Sequence, residues 1–135
     1  MATKVLDSYA LMALFNDEAG ADEVERLLLK AERGSLKLFM CVVNWGEIYY
    51  SVMRGVSSEL AEEKAKEIAG MPIELVPVDS DLRLVRLAAI FKATKKMSYA
   101  DCFAAALAKL RSAELVTGDP EFKAVEGEIT IGWLR

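Results

Sequence analysis

Residues 98–122 read SYADCFAAALAKLRSAELVTGDPEF, and this stretch holds a helix, a strand and the beginning of another helix. A helix is predicted over residues 99–112, because its apolar positions recur at i, i+3, i+4 and i+7 as an inward stripe, namely Phe103, Ala106, Leu107 and Leu110. A strand is predicted over residues 114–117. A short helix over residues 120–125 follows, and it begins with Pro120, a residue type favoured at the first helical position.

The same alternation of strands and helices extends through the rest of the chain. Strands are predicted over residues 4–6, 36–43, 74–78 and 129–133, and helices over residues 8–16, 20–33, 44–54, 57–70 and 79–94. This order is typical of an α/β protein, so we predict a three-layer α/β/α fold with a central, mostly parallel sheet. A length of 135 residues suits one domain, and we expect residues 1–135 to form it.

The charge and the residue types exclude several classes of function. The chain has 21 acidic and 17 basic residues and a net charge of -4, whereas a general nucleic-acid binder normally carries a basic surface. It contains no histidine, so imidazole cannot serve as the general base and the commonest zinc ligand is missing. The remaining question is which acids are solvated surface groups and which are gathered at a site.

The cysteines and the hydropathy bear on the compartment. Cys41 and Cys102 lie far apart in predicted regular elements, and we expect both to be buried free thiols of a reducing compartment. The N-terminus shows no leader-like apolar region, and no apolar run approaches the roughly 18 residues of a membrane span. We therefore expect a cytoplasmic protein without a membrane partner.

Four acids fall at one predicted edge of the sheet. Asp7 follows the first strand and Asp119 follows the strand over residues 114–117, whereas Glu47 and Asp101 lie in the opening turns of helices. Ligands of open parallel sheets bind outside the carboxyl ends of the strands. Four carboxylates gathered there repel one another unless they are protonated or neutralised by cations. Oxygen-only ligands select Mg²⁺ or Mn²⁺ over zinc or copper, so the pattern predicts such a metal site.

Each of these acids also has a purely structural interpretation. Asn44 and Glu47, like Ser98 and Asp101, have the spacing of a capping box, in which side chains satisfy free backbone N–H groups. Asp119 precedes a proline, as an N-cap residue often does, and Asp7 directly precedes the helix predicted over residues 8–16. Caps need not share one edge of the sheet, however, so the joint pattern favours a site.

Four motifs carry a resemblance to a known family. In order and spacing, the segments VLDS (5–8), NWGE (44–47), SYADCFAAALA (98–108) and LVTGDPEF (115–122) resemble the acidic motifs of PIN domains. The size is similar to that of single-domain VapC-type toxins of toxin–antitoxin pairs. The resemblance implies Asp7 and Asp101 as innermost metal ligands, with Glu47 and Asp119 completing the site directly or through water. It implies supporting roles for the hydroxyl residues, which are Ser8 and Thr117.

The resemblance also implies an activity and partners. A metal-dependent endoribonuclease with Mg²⁺ or Mn²⁺ would cut RNA by attack of water on the phosphodiester, and would be a homodimer controlled by a cognate antitoxin. Three basic residues are candidates for a phosphate-binding strip, namely Arg54, Lys95 and Lys96, although they could equally be solvated surface charges. One departure from the family is Asn44, where Ser or Thr is more usual.

Two other classes of function remain open. One is a PIN nuclease of RNA processing that has no antitoxin. The other is a non-enzymatic metal-binding α/β module, such as a receiver-like phosphoacceptor. A receiver would carry paired acids near its start and a lysine after a late strand, whereas this chain has the single Asp7 and, at the late position, Gly118 and Asp119.

Overall fold

The computed structural model describes residues 1–135 in full. It contains five strands, namely β1 (Ala2–Leu6), β2 (Leu36–Cys41), β3 (Ile73–Val76), β4 (Glu114–Thr117) and β5 (Ile131–Trp133). The six α-helices are α1 (Ser8–Phe15), α2 (Ala21–Glu32), α3 (Val42–Gly55), α4 (Ser58–Ala69), α5 (Arg83–Thr94) and α6 (Tyr99–Arg111), and a 3₁₀ helix covers Pro120–Val125. The predicted α/β/α class is confirmed, and none of the helices is long and apolar enough to cross a membrane.

The sheet is parallel throughout, with the strand order β3-β2-β1-β4-β5. Successive strands run outward from β1 to β3 on one side, and the chain then returns to add β4 and β5 on the other side of β1. Between β1 and β4 the direction of strand addition therefore reverses. In open α/β sheets a ligand binds at such a reversal, outside the carboxyl ends of the two strands.

Apolar residues cover both faces of the sheet, as a buried parallel sheet requires. Val5 and Leu115 face the core formed with α5, α6 and the 3₁₀ helix. Their neighbours Leu6 and Val116 face a second core that is formed with α1, α2, α3 and α4. Because successive side chains of a strand point to opposite faces, the strands β1 to β4 each contribute to both cores.

Helix α6 is the most deeply buried helix of the fold. Residues 101–108 are all buried, so α6 is covered on every side there and not only along the predicted apolar stripe. Leu110, predicted to face inward, is 37% exposed, because the helix leaves the core over its last turn. The alanines at 104–106 leave room for α6 to lie close to the sheet and to its neighbouring helices.

Two predicted helix boundaries are wrong. The helix expected from residue 79 begins at Arg83, because Leu82 adopts a left-handed backbone (φ 67°) and the Asp81 carboxylate accepts a hydrogen bond from the Arg83 N–H (3.1 Å). The strand expected to reach residue 43 ends at Cys41, and α3 begins two residues before Asn44. Asn44 is thus inside the first turn of α3 and does not cap it.

The burial of the two cysteines and of the leucines in α2 follows from the same packing. Cys41 and Cys102 are free and buried, as predicted. Leu27, Leu28 and Leu29 of α2 give this helix more apolar residues than one core face needs, but most of this apolar surface is covered. Leu27 and Leu28 pack against the second core, and Leu29 is the one of the three that stays exposed.

Candidate metal centre

The predicted acids are brought to the reversal point by four different elements. Asp7 directly follows β1, and Asp119 follows β4 and caps the 3₁₀ helix. Glu47 lies in the second turn of α3, whereas Asp101 lies in the first turn of α6. Helices in an α/β fold start at the carboxyl edge of the sheet, so all four side chains approach the same edge.

Asp7 is held rigidly at the centre of this edge. It is 1% exposed. Its Oδ1 accepts a hydrogen bond from the Ala10 N–H (3.0 Å), and its Oδ2 accepts one from the Thr117 hydroxyl (2.5 Å). The structural interpretation of Asp7 as the cap of α1 is therefore correct, but a cap alone does not require the second hydrogen bond from a neighbouring strand.

Thr117 connects Asp7 to the next acid. Its Oγ1 donates to Asp7 and accepts from the Asp119 N–H (3.1 Å). Asp119 in turn accepts a hydrogen bond at Oδ1 from the Glu121 N–H (2.9 Å). The predicted supporting hydroxyl thus links the end of β1 to the loop after β4, which fixes where both carboxylates point.

Asp101 lies opposite this loop at the start of α6. It is 5% exposed, and its N–H donates to the Ser98 hydroxyl (3.2 Å), so the predicted cap of α6 is present. Its carboxylate lies within 4.8 Å of ligand oxygens of Asp119 and of Glu121. The structure therefore brings a fifth acid to the site.

Glu121 was not among the predicted site residues. Its Oε1 accepts a hydrogen bond from the Ser98 N–H (3.0 Å), so it joins the 3₁₀ helix to the first residue before α6. In the sequence it has the appearance of an ordinary acid in the first turn of a helix. The available signal was the pair Asp119 and Glu121, two acids separated by one residue directly after a strand.

Glu47 completes the group that we call the carboxylate cluster: Asp7, Glu47, Asp101, Asp119 and Glu121. The Ser8 hydroxyl donates a hydrogen bond to Glu47 Oε1, a contact that the sequence did not predict. The charge of Glu47 raises the pKa of both Asp7 and Asp101, so Glu47 is in electrostatic range of both.

The pKa values of the two most buried acids are far above the usual range. Burial raises the pKa of Asp7 to about 7, against the lowering effect of the hydrogen bonds from Thr117 and Ala10 and with further raising by Asp119 and Glu47. Burial also raises the pKa of Asp101 to about 8, with smaller contributions from Asp119, Asp7, Glu121 and Glu47. A nearby positive charge would lower both pKa values and favour the ionised form of both acids near neutral pH.

No protein cation supplies that charge. The structure has five ion pairs, and none of them includes a member of the carboxylate cluster. The available donors are all carboxylate oxygens, which is the ligand set that Mg²⁺ and Mn²⁺ prefer. The residues present therefore fit a hard divalent cation.

The three candidate phosphate-binding residues lie in different environments. Arg54 is exposed at the end of α3, with its guanidinium 5.1 Å from the centre of the Tyr50 ring. Lys95 pairs with Glu128 (3.0 Å), whereas Lys96 is exposed and in no ion pair. Of the two lysines, Lys96 is the one free to meet a phosphate.

Comparisons with known proteins agree with this geometry. The model of the PIN domain family matches residues 4–128. A search of curated proteins found no matching relative. Many solved structures share the fold. VapBC2 from Rickettsia felis, bound to a DNA fragment from its promoter, aligns with a TM-score of 0.74 at 16% identity and covers 98% of this chain and 99% of that one.

Two structures from Mycobacterium tuberculosis are similar in the same way. VapBC-5, a member of the VapBC family of toxin–antitoxin systems, gives a TM-score of 0.60 at 21% identity over 100% of this chain and 99% of that one. VapC20, a toxin that cleaves the sarcin-ricin loop, gives a TM-score of 0.69 at 17% identity over 90% of this chain and 94% of that one. Identities this low establish the fold alone, whereas the family model spans nearly the whole chain. The chain belongs to the PIN-domain family.

Proposed function

We propose that this protein is a metal-dependent endoribonuclease and the toxin of a toxin–antitoxin pair. The observation that carries the proposal is the carboxylate cluster: Asp101, Asp119 and Glu121 offer oxygens within 4.8 Å of one another, and Asp7 and Glu47 lie in electrostatic range of Asp101. No lysine or arginine pairs with any of the five acids. Structural ion-pair networks contain both signs of charge, whereas a divalent metal site needs an excess of anionic oxygens. Membership of the PIN family supports nuclease chemistry at this site.

The role that each cluster residue would have in binding the ion follows from its burial. Asp7 and Asp101 are nearly inaccessible and would hold the ion most directly, while Glu47, Asp119 and Glu121 lie nearer the solvent and would complete its coordination directly or through water. Mg²⁺ or Mn²⁺ bound there would activate water for attack on the phosphodiester and offset the charge that develops on the phosphate oxygens. Thr117 and Ser8 would keep the carboxylates of Asp7 and Glu47 oriented.

Binding of RNA by a net-acidic chain needs local positive charge. Arg54 and Lys96 are exposed and free of ion pairs, and we propose that they contact backbone phosphates. Such contacts position a nucleic acid without reading its sequence. RNA is the substrate that the VapC20 likeness suggests, since that toxin cleaves the sarcin-ricin loop.

The antitoxin belongs to the proposal because of what the similar structures contain. The R. felis and M. tuberculosis VapBC structures are toxin–antitoxin assemblies of the same fold. A cognate antitoxin would silence the nuclease until it is released. A homodimer, expected from the family resemblance alone, is also part of the proposal. The matching observation would be a neighbouring gene whose product binds this chain and suppresses its activity.

The test of the proposed activity is cleavage of a labelled single-stranded RNA. We would compare wild type in Mg²⁺, in Mn²⁺ and in EDTA with Asp101→Asn and with Glu74→Gln. Glu74 is a suitable control because it is an exposed acid that pairs with Lys37 at the far edge of the sheet. We expect cleavage by wild type and Glu74→Gln that requires metal, and none by Asp101→Asn. Equal cleavage by all three proteins in EDTA would overturn the proposal.

A further inference from the structure

Asn44 is a fully buried polar residue that the proposed chemistry does not use. It lies in the first turn of α3, three residues before Glu47, and its exposure is 0%. A buried amide loses its hydrogen bonds to water and must find partners within the protein. What those partners are therefore indicates why the residue is polar.

One end of the Asn44 amide ties two helices together. Its Nδ2 donates to the backbone carbonyl oxygen of Ala100 (3.1 Å). Ala100 directly precedes Asp101 in the first turn of α6, and Asn44 is one turn before Glu47 in α3. This hydrogen bond consequently joins the two acid-bearing helices close to the points from which their carboxylates enter the cluster.

The other end of the amide has no partner. Asn44 Oδ1 is the only buried side-chain polar atom without a hydrogen bond. Leaving such an acceptor unsatisfied costs at least as much free energy as the hydrogen bond to Ala100 contributes. Leucine has the same number and branching of heavy atoms and avoids that cost. Stability alone therefore does not favour asparagine at this position.

We propose that Asn44 is a positioning residue that sets the separation of Glu47 and Asp101 for metal binding. This inference rests on the proposed metal-dependent function. Without the hydrogen bond from Asn44 to Ala100, α3 and α6 keep their apolar packing but can shift relative to one another. The carboxylates of Glu47 and Asp101 then no longer meet one ion at the right spacing. Residues that orient metal ligands typically contribute about 10–100-fold to metal affinity or activity.

The test compares metal binding with stability in Asn44→Leu, Asn44→Ala and the control Val52→Ala. Val52 is buried in the same helix two turns further on, so its truncation destabilises α3 without removing the hydrogen bond between Asn44 and Ala100. Mn²⁺ affinity is measured by electron paramagnetic resonance, and the melting temperature is measured in EDTA. Asn44→Ala is included because its smaller side chain cannot overpack the site if leucine does.

The expected result is a separation of the two properties. Both Asn44 variants should bind Mn²⁺ about 10-fold more weakly than wild type, and Asn44→Leu should melt no lower than wild type in EDTA. Val52→Ala should melt lower and bind Mn²⁺ normally. Unchanged Mn²⁺ affinity in both Asn44 variants, with a normal wild type, would overturn the positioning role alone. Absence of saturable Mn²⁺ binding by wild type would instead overturn the metal centre and this inference with it.

Discussion

The acids of this protein fall into two groups that differ in their neighbours. In the carboxylate cluster, Asp101 is surrounded by other acids, and its pKa is raised to about 8 by burial and by their charges. Elsewhere Glu128 contacts both Lys95 and Lys109, and these lysines hold its pKa below the usual range. Glu74 and Glu114 likewise have lysine partners.

The difference shows where the chain supplies its own counter-charge and where it does not. A paired surface acid is neutralised within the protein, and its contribution to stability is small. An unpaired buried acid is a cost to the metal-free protein. Accepting that cost at Asp7 and Asp101, beside three further unpaired acids, is consistent with a cation that comes from outside, as the proposed nuclease requires.

The largest expected effect separates the two groups by activity. Asp101→Asn should lower metal-dependent RNA cleavage by at least about 100-fold, because it removes one of the two most buried carboxylates of the proposed metal site without changing side-chain size. Glu74→Gln, which removes an equal charge from the paired group, should stay within about 2-fold of wild type. Single-turnover cleavage rates at saturating Mg²⁺ measure both. Similar losses in the two variants would mean that overall charge, and not the cluster, controls the rate.

A smaller effect should come from the hydroxyl that orients Asp7. Thr117→Val keeps the side-chain shape but removes the hydrogen bonds to Asp7 Oδ2 and from the Asp119 N–H. We expect about a 10-fold loss of cleavage together with a higher Mg²⁺ requirement, whereas Thr117→Ser should be close to wild type. Titrating activity with Mg²⁺ separates the two variants. Normal Mg²⁺ dependence in Thr117→Val would show that Thr117 contributes only to packing and does not orient Asp7.

Removing the free cations should have a weaker effect that depends on salt. Arg54→Ala or Lys96→Ala should raise the KM for RNA about 2- to 5-fold, leave kcat nearly unchanged and reduce the salt slope of binding by about one. Lys95→Ala should change KM less, because Lys95 is engaged by Glu128. The check is KM at several salt concentrations. If Lys95→Ala has the largest effect of the three, the ion pair with Glu128 opens when RNA binds.

The smallest expected effect is on metal-free stability and its dependence on pH. The pKa of Asp101 is raised to about 8 in the folded protein, so folding favours its protonated form. Such a group stabilises the fold fully below its unfolded pKa, near 4, and this contribution is lost as pH rises towards 8. In EDTA, wild type should therefore melt a few °C lower at pH 8 than at pH 6, and the decrease should be smaller in Asp101→Asn.

Parallel calorimetric scans of Glu74→Gln provide the control for this pH effect. Glu74 is exposed and ion-paired, so its substitution should leave the dependence on pH as it is in wild type. Identical pH profiles for wild type and Asp101→Asn would show that the buried carboxyl is not protonated in the folded protein.

Much of the fold followed from local patterns. Asp7, Asp101 and Asp119 were predictable at one edge because each stands at a junction between regular elements, and the direction of a parallel sheet then determines where those junctions meet. The alternation of strands with helices along the chain predicted the sheet but not the order of its strands. That order depends on which helices pack together over long sequence distances.

Three features needed the structure. Glu121 resembles a solvated acid of a helix start until the fold places it beside Ser98 and Asp101. Asn44 fits a capping box in sequence, but α3 starts earlier and buries it. The pairing of Lys95 with Glu128 joins residues far apart in the chain, so no local pattern could reveal it.

The central claim, that the unpaired acids hold a divalent cation, is tested most directly by Mn²⁺ binding in the absence of RNA. Wild type, Asp101→Asn and Glu74→Gln would be titrated with Mn²⁺ and followed by electron paramagnetic resonance. We predict saturable binding in wild type and Glu74→Gln, and at least about 100-fold weaker binding in Asp101→Asn. Equal binding by all three proteins would contradict the account, because the ion would then associate with the acidic surface in general.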